Sequence, residues 1–403
     1  MIAWDTCYAS RATRMVASEM RELLKVIDRP GIISFAGGIP DPQLFPREEI
    51  VAAYHGILSD PVRSAAALQY AVSEGYQPLR EWIAGYMGER GVECGPDNIL
   101  ITSGAQQALD FVGKLFIGKD SRVLTSSPTY LGALQAFNAY EPSYAPLPDG
   151  SNSGTLQPLQ TRACLGYVMP DFQNPTGLSL TIDRRLALLD WAHAHQLPLI
   201  EDAAYEALRY DGDPIPPLIA LDAKRTGSIE NVAVIYCGTF SKTIVPGLRV
   251  GWIAAPSAVI RKLVLIKQAA DLHSSQINQM VMYEVARKAL NKRTEIIRIA
   301  YRERRDAMLS ALARHMPKGI AWTKPEGGMF IWVTLPEGID AAVLFTRALA
   351  EAQVAFVPGR AFFPDRSVAN ALRLNFTRAD PATIDAGIHR LGKMLQSFIG
   401  RAN

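Results

Sequence analysis

The chain has 403 residues, of which 48% are hydrophobic and 20% are charged, and this composition is that of an ordinary globular protein. Its formal charge of +3 is too small to indicate a nucleic acid or a membrane surface as partner. The four cysteines have no C-x-x-C spacing and the N-terminus does not resemble a signal peptide, so we expect reduced thiols and a cytoplasmic protein.

Taken in chain order, the first predicted elements are a helix and an irregular connection. Residues 18–27 carry apolar side chains at helical spacing, with Ser18 as the N-cap. The Gly- and Pro-rich residues 33–46 are predicted to contain no regular structure.

The middle of the chain alternates between short apolar runs and helical segments such as residues 105–116 and 184–195. Continuous apolar runs are typical of strands buried on both faces, and helices between them indicate a mostly parallel sheet. The predicted strands are residues 98–102, 122–127, 164–170, 197–202, 232–238 and 250–256.

The remainder of the chain predicts a second, smaller lobe. Residues 275–316 have the periodicity of one long helix, and residues 327–403 mix strand-like and helical pieces. We therefore predict an α/β fold with a large domain in residues 45–290 and a small α+β domain in residues 291–403. Residues 1–44 are predicted to form an N-terminal arm and part of the small domain.

Unusual residues follow the predicted strands, at the sheet edge where ligands of open α/β proteins bind. The turn formed by Ser103, Gly104, Ala105 and Gln106 opens a helix, and helix N–H groups suit a phosphate. An ordinary strand–helix turn would explain the same residues.

Two further strands are followed by an aromatic residue and an amide. Tyr130 offers a ring to stack on, although packing would explain it as well, and Asn174 begins a rigid Asn-Pro-Thr-Gly turn.

Charged and hydroxyl residues end the next two strands. Glu201 and Asp202 close an apolar strand just before Tyr205, and a buried carboxylate is unfavourable without a cationic partner. A salt bridge or a helix N-cap are the alternatives for Asp202. The run of residues 238–252 places Lys242 among apolar neighbours, where the pKa of a lysine is lowered and its amine can act as nucleophile and base.

Pyridoxal 5'-phosphate is one ligand that would use all of these residues. Its carbonyl condenses with Lys242, its ring nitrogen needs Asp202, and its phenolic oxygen suits Asn174 and Tyr205. The turn at residues 103–106 would hold its phosphate together with Thr239, Ser241 and Arg249. No metal ion is part of this expectation.

The motifs S-G-A-Q, P-T-Y, N-P-T-G, D-x-x-Y and T-x-S-K, with an arginine seven residues beyond the lysine, resemble those of fold-type I aminotransferases. Residues 18–46, 68–80, 270–280 and 325–332 resemble the 2-aminoadipate/kynurenine branch of these enzymes. The resemblance covers essentially the whole chain. It implies a large domain with a mostly parallel seven-stranded sheet, and a homodimer with shared active sites.

The same resemblance implies roles for four residues. Tyr70 would reach the cofactor phosphate of the partner subunit, Gly38 would lie over the substrate, and Arg373 would hold the substrate carboxylate. Core packing for Tyr70 and a surface position on an edge strand for Arg373 are the alternatives. Arg21, on a helix that covers the site in that branch, would recognise an acidic side chain, unless it is simply exposed to solvent.

We therefore expect an aminotransferase with ping-pong kinetics and 2-oxoglutarate as amino acceptor. Lys242 would move the proton of the substrate α-carbon. Apolar neighbours such as Ile39 and Leu44 would admit leucine or aromatic donors beside 2-aminoadipate or glutamate. A lyase, decarboxylase or racemase with the same cofactor is one alternative. A ligand sensor attached to a DNA-binding segment is another, and residues 1–30 show no basic recognition-helix pattern to support it.

Overall fold

The centre of the protein is a twisted sheet that collects six of the apolar runs. The computed structural model describes residues 1–15, 31–148, 159 and 161–399. The helix predicted at residues 18–27 lies outside them.

The strands are β1 Ile33–Ser34, β2 Ile99–Thr102, β3 Arg122–Thr125, β4 Ser143–Pro146, β5 Leu165–Val168, β6 Leu199–Asp202, β7 Val234–Thr239, β8 Gly251–Ala254, β9 Ala321–Trp322, β10 Phe330–Thr334, β11 Val354–Ala355, β12 Val357–Pro358 and β13 Ala371–Asn375. The α-helices are α1 Arg47–Leu58, α2 Pro61–Leu68, α3 Gln77–Gly88, α4 Ala105–Phe116, α5 Leu131–Asn138, α6 Ile182–Ala194, α7 Leu218–Thr226, α8 Ser257–Ala270, α9 Gln276–His315, α10 Ala341–Arg347 and α11 Pro381–Ile399. Short 3-10 turns include Pro42–Leu44 and Glu206–Leu208, and a π-turn, Ala348–Ala352, extends α10.

Seven strands form the large sheet in the order β2-β8-β7-β6-β5-β3-β4, and only β8 runs against its neighbours. This confirms the predicted mostly parallel sheet. The prediction omitted the edge strand β4, because its residues are half-exposed and end in Pro146. A proline at that position lacks the N–H that a further strand would need.

Alternate side chains of the sheet enter two separate cores. On one face Ile200 and Ile235 are packed beneath α4 and α8, and on the other Leu199 and Val234 pack with the residues of α6 and α7. Each such buried aliphatic side chain contributes about 1.5–3 kcal/mol to stability. The alternation sends Glu201 and Asp202, which are consecutive in β6, to opposite faces of the sheet.

The smaller lobe is built on the antiparallel sheet β12-β13-β10-β9. The expectation that residues 33–46 lack regular structure was wrong in detail, because β1 pairs in parallel with β11 and Pro42–Leu44 forms a 3-10 turn. The domain division stays a prediction, and α9 continues without a break through residue 290. In the described part of the chain, no helix is long and apolar enough to cross a membrane.

Candidate active site

A cavity of about 310 Å³ lies at the carboxyl ends of the parallel strands, where it is closed on one side by the small lobe. Most of the residues predicted for the site line it. The lining residues are Gly38, Ile39, Ala105, Gln106, Leu109, Tyr130, Met169, Asn174, Asp202, Ala204, Tyr205, Thr239, Ser241, Lys242, Pro246, Arg249 and Arg373.

The carboxylate of Asp202 is buried at the floor of this cavity with one oxygen unpaired. Tyr167 donates its hydroxyl to Oδ2 at 2.8 Å, whereas Oδ1 has no hydrogen-bond partner among the described residues. Burial raises the pKa of Asp202 to about 6, although the Tyr167 hydroxyl and the charge of Lys242 oppose that rise. Neither predicted alternative is found, since Asp202 forms no salt bridge in the described chain and caps no described helix.

Glu201 has a different role on the opposite face of β6. Its two oxygens accept the N–H groups of Leu218 and Ile219 at 2.7 and 2.9 Å, which are the first residues of α7. A carboxylate at a helix N-terminus is stabilised by the free N–H groups and by the helix dipole. Glu201 therefore fixes α7 to the sheet and does not face the cavity.

Lys242 follows β7, and its half-buried amine projects into the cavity. Nζ donates to the carbonyl oxygen of Gly38 at 3.2 Å. Burial, together with the positive charges of Arg249 and Arg373, lowers the pKa of Lys242 to about 8 against the opposing effect of Asp202. A much larger fraction of this amine is therefore neutral near neutral pH than in an ordinary lysine, and a nucleophile requires the neutral form.

Two tyrosines stand beside Asp202 and Lys242. Burial raises the pKa of Tyr130 to about 12, and burial together with Tyr130 raises the pKa of Tyr205 further still. Both hydroxyls therefore stay protonated and can donate hydrogen bonds. The Tyr205 ring meets Phe330 edge-on, with centroids 5.7 Å apart, which fixes its orientation.

The predicted phosphate site joins the start of α4 to the segment after β7. Gly104 has φ +86°, and a Cβ there would lie 2.4 Å from Nη2 of Arg249. Only glycine therefore allows the guanidinium to lie against this turn. Thr239 and Ser241 share a hydrogen bond of 2.9 Å at the same cavity wall.

Ser103 does not line the cavity with its side chain. Its hydroxyl lies 3.1 Å from that of Ser274, and its carbonyl accepts from Nη2 of Arg249 at 3.2 Å.

Arg373 reaches the cavity from the middle of the small sheet, where β13 pairs with both β10 and β12. The side chain is fully buried, so the surface position considered from sequence is wrong. It donates to Oδ1 of Asn174 and to the carbonyl of Ala36, both at 2.7 Å, and Nε has no partner. In the described chain no carboxylate lies within ion-pair distance of this buried cation.

The remaining predicted residues lie at the rim or elsewhere. Gly38 and Ile39 cover the cavity, and a Cβ on Gly38 would approach the Phe330 ring at 3.1 Å. Leu44 packs against the core outside the cavity.

Tyr70 is 79% exposed and touches His273 edge-on, so the core-packing alternative is wrong and its action in a partner subunit stays a prediction. Arg21 lies outside the described residues.

Several residues that line the cavity or hold a lining residue in place were not predicted. Tyr167 holds Asp202 but sits inside an apolar run that predicted only a strand. The available signal was its hydroxyl, since a tyrosine in a strand buried on both faces needs a hydrogen-bond partner. Leu109, Met169, Ala204 and Pro246 are ordinary apolar residues, and no local signal marks them.

The residues present fit pyridoxal phosphate. Asp202 offers an unpaired carboxylate oxygen to a ring N–H, Lys242 offers an amine of lowered pKa to a carbonyl, and Arg249 with the Gly104 turn offers a cationic cradle to a phosphate. Across the described residues, no three or more His, Cys, Asp and Glu side chains are grouped so as to hold a metal ion.

Comparisons with known proteins agree with this geometry. The family model described as aminotransferase class I and II matches residues 62–391. The 2-aminoadipate transaminase of Thermus thermophilus is 42% identical over 99% of this chain and 98% of its own length. The aromatic-amino-acid aminotransferase 1 of Thermococcus litoralis is 42% identical over 98% of this chain and 95% of its own.

Among solved structures, that of the α-aminoadipate aminotransferase LysN from Thermus thermophilus, in complex with N-(5'-phosphopyridoxyl)-L-leucine, superimposes with a TM-score of 0.89. It is 40% identical over 99% of this chain and 100% of its own.

Proposed function

The chain belongs to the class I and II aminotransferases, which are pyridoxal phosphate-dependent enzymes, and we propose that it transfers amino groups from several kinds of L-amino acid to 2-oxoglutarate. The proposed donors are 2-aminoadipate, glutamate, leucine and aromatic amino acids. The observation that carries this proposal is the convergence of Asp202, Lys242 and Arg373 on one cavity of about 310 Å³.

The fold and the relatives indicate a pyridoxal phosphate aminotransferase of the 2-aminoadipate and aromatic type. When bound, the cofactor supplies a carbonyl carbon that takes up the amino group and a ring that withdraws electrons from the substrate α-carbon. We propose that Asp202 binds the ring N–H, that Asn174 and Tyr205 bind the phenolic oxygen, and that Tyr130 stacks on the ring.

The phosphate is assigned to backbone N–H groups of the turn at residues 103–106, to Thr239 and Ser241, and to Arg249. The support is the close fit of the Arg249 guanidinium against Gly104.

Substrate binding is proposed to depend on Arg373. A guanidinium buried to this degree without a carboxylate partner favours an anionic ligand, and its planar fork matches a carboxylate. Asn174 orients that fork through its 2.7 Å hydrogen bond. Lys242 would then be the base that takes the proton from the substrate α-carbon and delivers it to the former carbonyl carbon of the cofactor, because its pKa of about 8 allows it both to accept and to donate a proton.

We further propose a cytoplasmic homodimer in which Tyr70 serves the partner's site. Apolar side chains exposed between residues 62 and 72, namely Val62, Leu68, Tyr70 and Val72, support a contact with a second copy. The four cysteines are free thiols, which suits a reducing compartment. The kinetics are proposed to be ping-pong, since donor and acceptor would use the same cavity in turn.

The test is the visible absorption of the holoenzyme while amino acids are added one at a time without an oxo acid. Donors in the proposed set should bleach the cofactor band, and 2-oxoglutarate should restore it. L-Norleucine serves as a control for 2-aminoadipate because it has the same chain length but lacks the second carboxylate. A cofactor band that no amino acid bleaches would overturn the aminotransferase proposal and favour a lyase.

We also propose that Arg21 recognises the side-chain carboxylate of acidic donors, and the variant Arg21→Gln tests this in the same assay. We expect a loss of kcat/KM for 2-aminoadipate and glutamate with little change for leucine, because the charge would contact only acidic side chains. An equal loss for all donors would contradict it.

A further inference from the structure

A buried lysine lies behind the predicted phosphate turn, outside the cavity. Lys267 is on α8, and its side chain has no exposed surface. Its ammonium lies 2.9 Å from both carboxylate oxygens of Asp271, 2.9 Å from the hydroxyl of Ser274 and 3.1 Å from Oε1 of Gln107. An ammonium is seldom buried unless its hydrogen-bond partners are in place, so this arrangement is specific.

The partners of Lys267 in turn hold Ser103. The amide oxygen of Gln107 that accepts from Lys267 also accepts from the Ser103 N–H at 2.8 Å. The hydroxyl of Ser103 lies 3.1 Å from the hydroxyl of Ser274, which Lys267 also contacts. Gln107 closes the ring by donating to Asp271 at 2.7 Å. We call Lys267, Gln107, Asp271 and Ser274 the α8 cluster.

Ser103 connects this cluster to the cavity. Its N–H and its hydroxyl are held by the α8 cluster, and its carbonyl accepts from Nη2 of Arg249 at 3.2 Å. The next residue, Gly104, lies at φ +86° directly beneath the same guanidinium. A shift of Ser103 would therefore change both the direction of the turn's N–H groups and the position of the Arg249 guanidinium.

We propose that Lys267 is a positioning residue, which fixes Ser103 and through it the turn and Arg249 in the conformation that binds the phosphate group of the cofactor. This inference rests on the proposed assignment of the turn and Arg249 to the phosphate. The cluster orders these groups before the ligand arrives, and such preorganisation increases affinity because less freedom is lost on binding.

The experiment compares ligands with and without a phosphate on the full-length chain stripped of cofactor. Affinities for pyridoxal phosphate and for pyridoxal are measured by absorption, and inorganic phosphate is titrated as a competitor of the first. The variant is Lys267→Met, and its matched control is Lys262→Met, which makes the same change at an exposed position of the same helix.

For Lys267→Met we expect the affinity for pyridoxal phosphate to fall roughly tenfold to a hundredfold, which is the size of loss seen when a residue that orients a metal ligand is removed. The inhibition constant of inorganic phosphate should rise in parallel, while the affinity for pyridoxal changes less than about twofold. Ser274→Ala, which removes one hydroxyl from the cluster, should show a smaller effect with the same selectivity, and it covers the case in which Lys267→Met does not fold.

Two outcomes would overturn the inference. Equal losses for pyridoxal phosphate and pyridoxal would show that the α8 cluster supports the fold in general. Affinities equal to those of Lys262→Met would show that the α8 cluster has no part in binding.

Arg249→Met separates the positioning role of Lys267 from the proposed phosphate site on which it rests. If Arg249→Met does not weaken phosphate binding selectively, the proposed phosphate site fails. If it does so while Lys267→Met and Ser274→Ala have no effect, only the positioning role fails.

Discussion

Two regions of the molecule bury an arginine together with an acidic residue of β6. The two pairs differ in how completely the side chains of the arginine and of that residue have hydrogen-bond partners. Between α6, α7 and the sheet, the guanidinium of Arg185 donates to the carbonyls of Leu180, Pro216 and Pro170 and to Asp171. In the same region both oxygens of Glu201 accept N–H groups of α7. In the cavity on the other face, Asp202 keeps one oxygen and Arg373 its Nε without a partner.

The difference indicates which charges serve the fold and which serve a ligand. Burial raises the pKa of Glu201 to about 8 and that of Asp202 to about 6, so the perturbed pKa alone does not separate the two. What separates them is that both carboxyl oxygens of Glu201 have hydrogen-bond partners, whereas one oxygen of Asp202 has none and this residue lines the cavity. A buried polar atom without a partner is destabilising by itself, and its retention beside a cavity is explained when a ligand supplies the missing group.

The largest effect is expected for Lys242→Ala, which removes the base from the cavity face. Turnover should fall by roughly 10³-fold or more, because general-base and nucleophilic roles are lost together. Bound cofactor should be retained, since the phosphate and ring contacts remain. Single-turnover absorption measures the rate, and the cofactor content of the purified variant measures cofactor binding. Full activity in this variant would mean that Lys242 is neither the nucleophile nor the base.

The two neighbouring carboxylates provide the sharpest test of the comparison. Asp202→Asn should lower kcat by roughly 10²- to 10³-fold and weaken cofactor binding, because an amide cannot hold the ring N–H as a carboxylate does. Glu201→Gln should leave kcat nearly unchanged but lower the free energy of unfolding by about 1–3 kcal/mol, since one N–H of α7 loses its acceptor.

We also predict the direction in which Asp202→Asn changes the stability of the cofactor-free protein. The folded-state pKa of about 6 lies above the ordinary value of 3.8, so the aspartate stabilises the cofactor-free fold at low pH and this contribution is lost as the pH rises through 6. Above pH 6 the cofactor-free Asp202→Asn variant should therefore melt no lower than the unchanged protein. A large loss of stability there would mean that Asp202 supports the fold as Glu201 does.

The two buried arginines give a smaller contrast of the same kind. Arg373→Gln should reduce kcat/KM for every donor by roughly 10²-fold, because the substrate carboxylate loses a charged partner. Arg185→Gln should cost about 3–5 kcal/mol of stability, because it breaks a buried ion pair with Asp171. Thermal melting measures the stability of both variants, and steady-state kinetics measure their kcat/KM. Equal losses of stability and of kcat/KM in the two variants would mean that the two arginines do not differ in role.

Much of this contrast could be predicted from sequence, because the cavity residues follow strands whose apolar runs are continuous. The pattern showed that Glu201 and Asp202 end a strand, and both the cofactor interpretation and the family resemblance pointed to Asp202. It did not show that Glu201 would bond to the N-terminus of α7, since α7 begins seventeen residues later in a stretch with no capping side chain of its own. Pairing of that kind is set by tertiary packing.

Other features were beyond local patterns for related reasons. β1 pairs with β11 across more than three hundred residues, so nothing near residues 33–34 marks them as a strand. The turn at residues 103–106 is predicted to hold the phosphate, and this stays a prediction. No local pattern shows that the hydroxyl of Ser103 lies 3.1 Å from that of Ser274, which in turn contacts the buried Lys267. That lysine lies on an amphipathic helix, where long charged side chains usually reach solvent.

The smallest expected effect is a shift in the pKa of Lys242 when a neighbouring positive charge is removed. Arg249 lowers the pKa of Lys242, so Arg249→Met should raise it above about 8. The neutral amine fraction grows as the pH rises through that pKa, and the rate at which cofactor-free protein combines with pyridoxal should follow it. Pyridoxal is the appropriate probe because it has no phosphate for Arg249 to bind. The midpoint of this pH profile should move upward in Arg249→Met and stay in place in Arg261→Met, which removes an exposed arginine of α8. An unchanged midpoint would mean that Arg249 has no part in setting the pKa of the lysine and acts only on ligands.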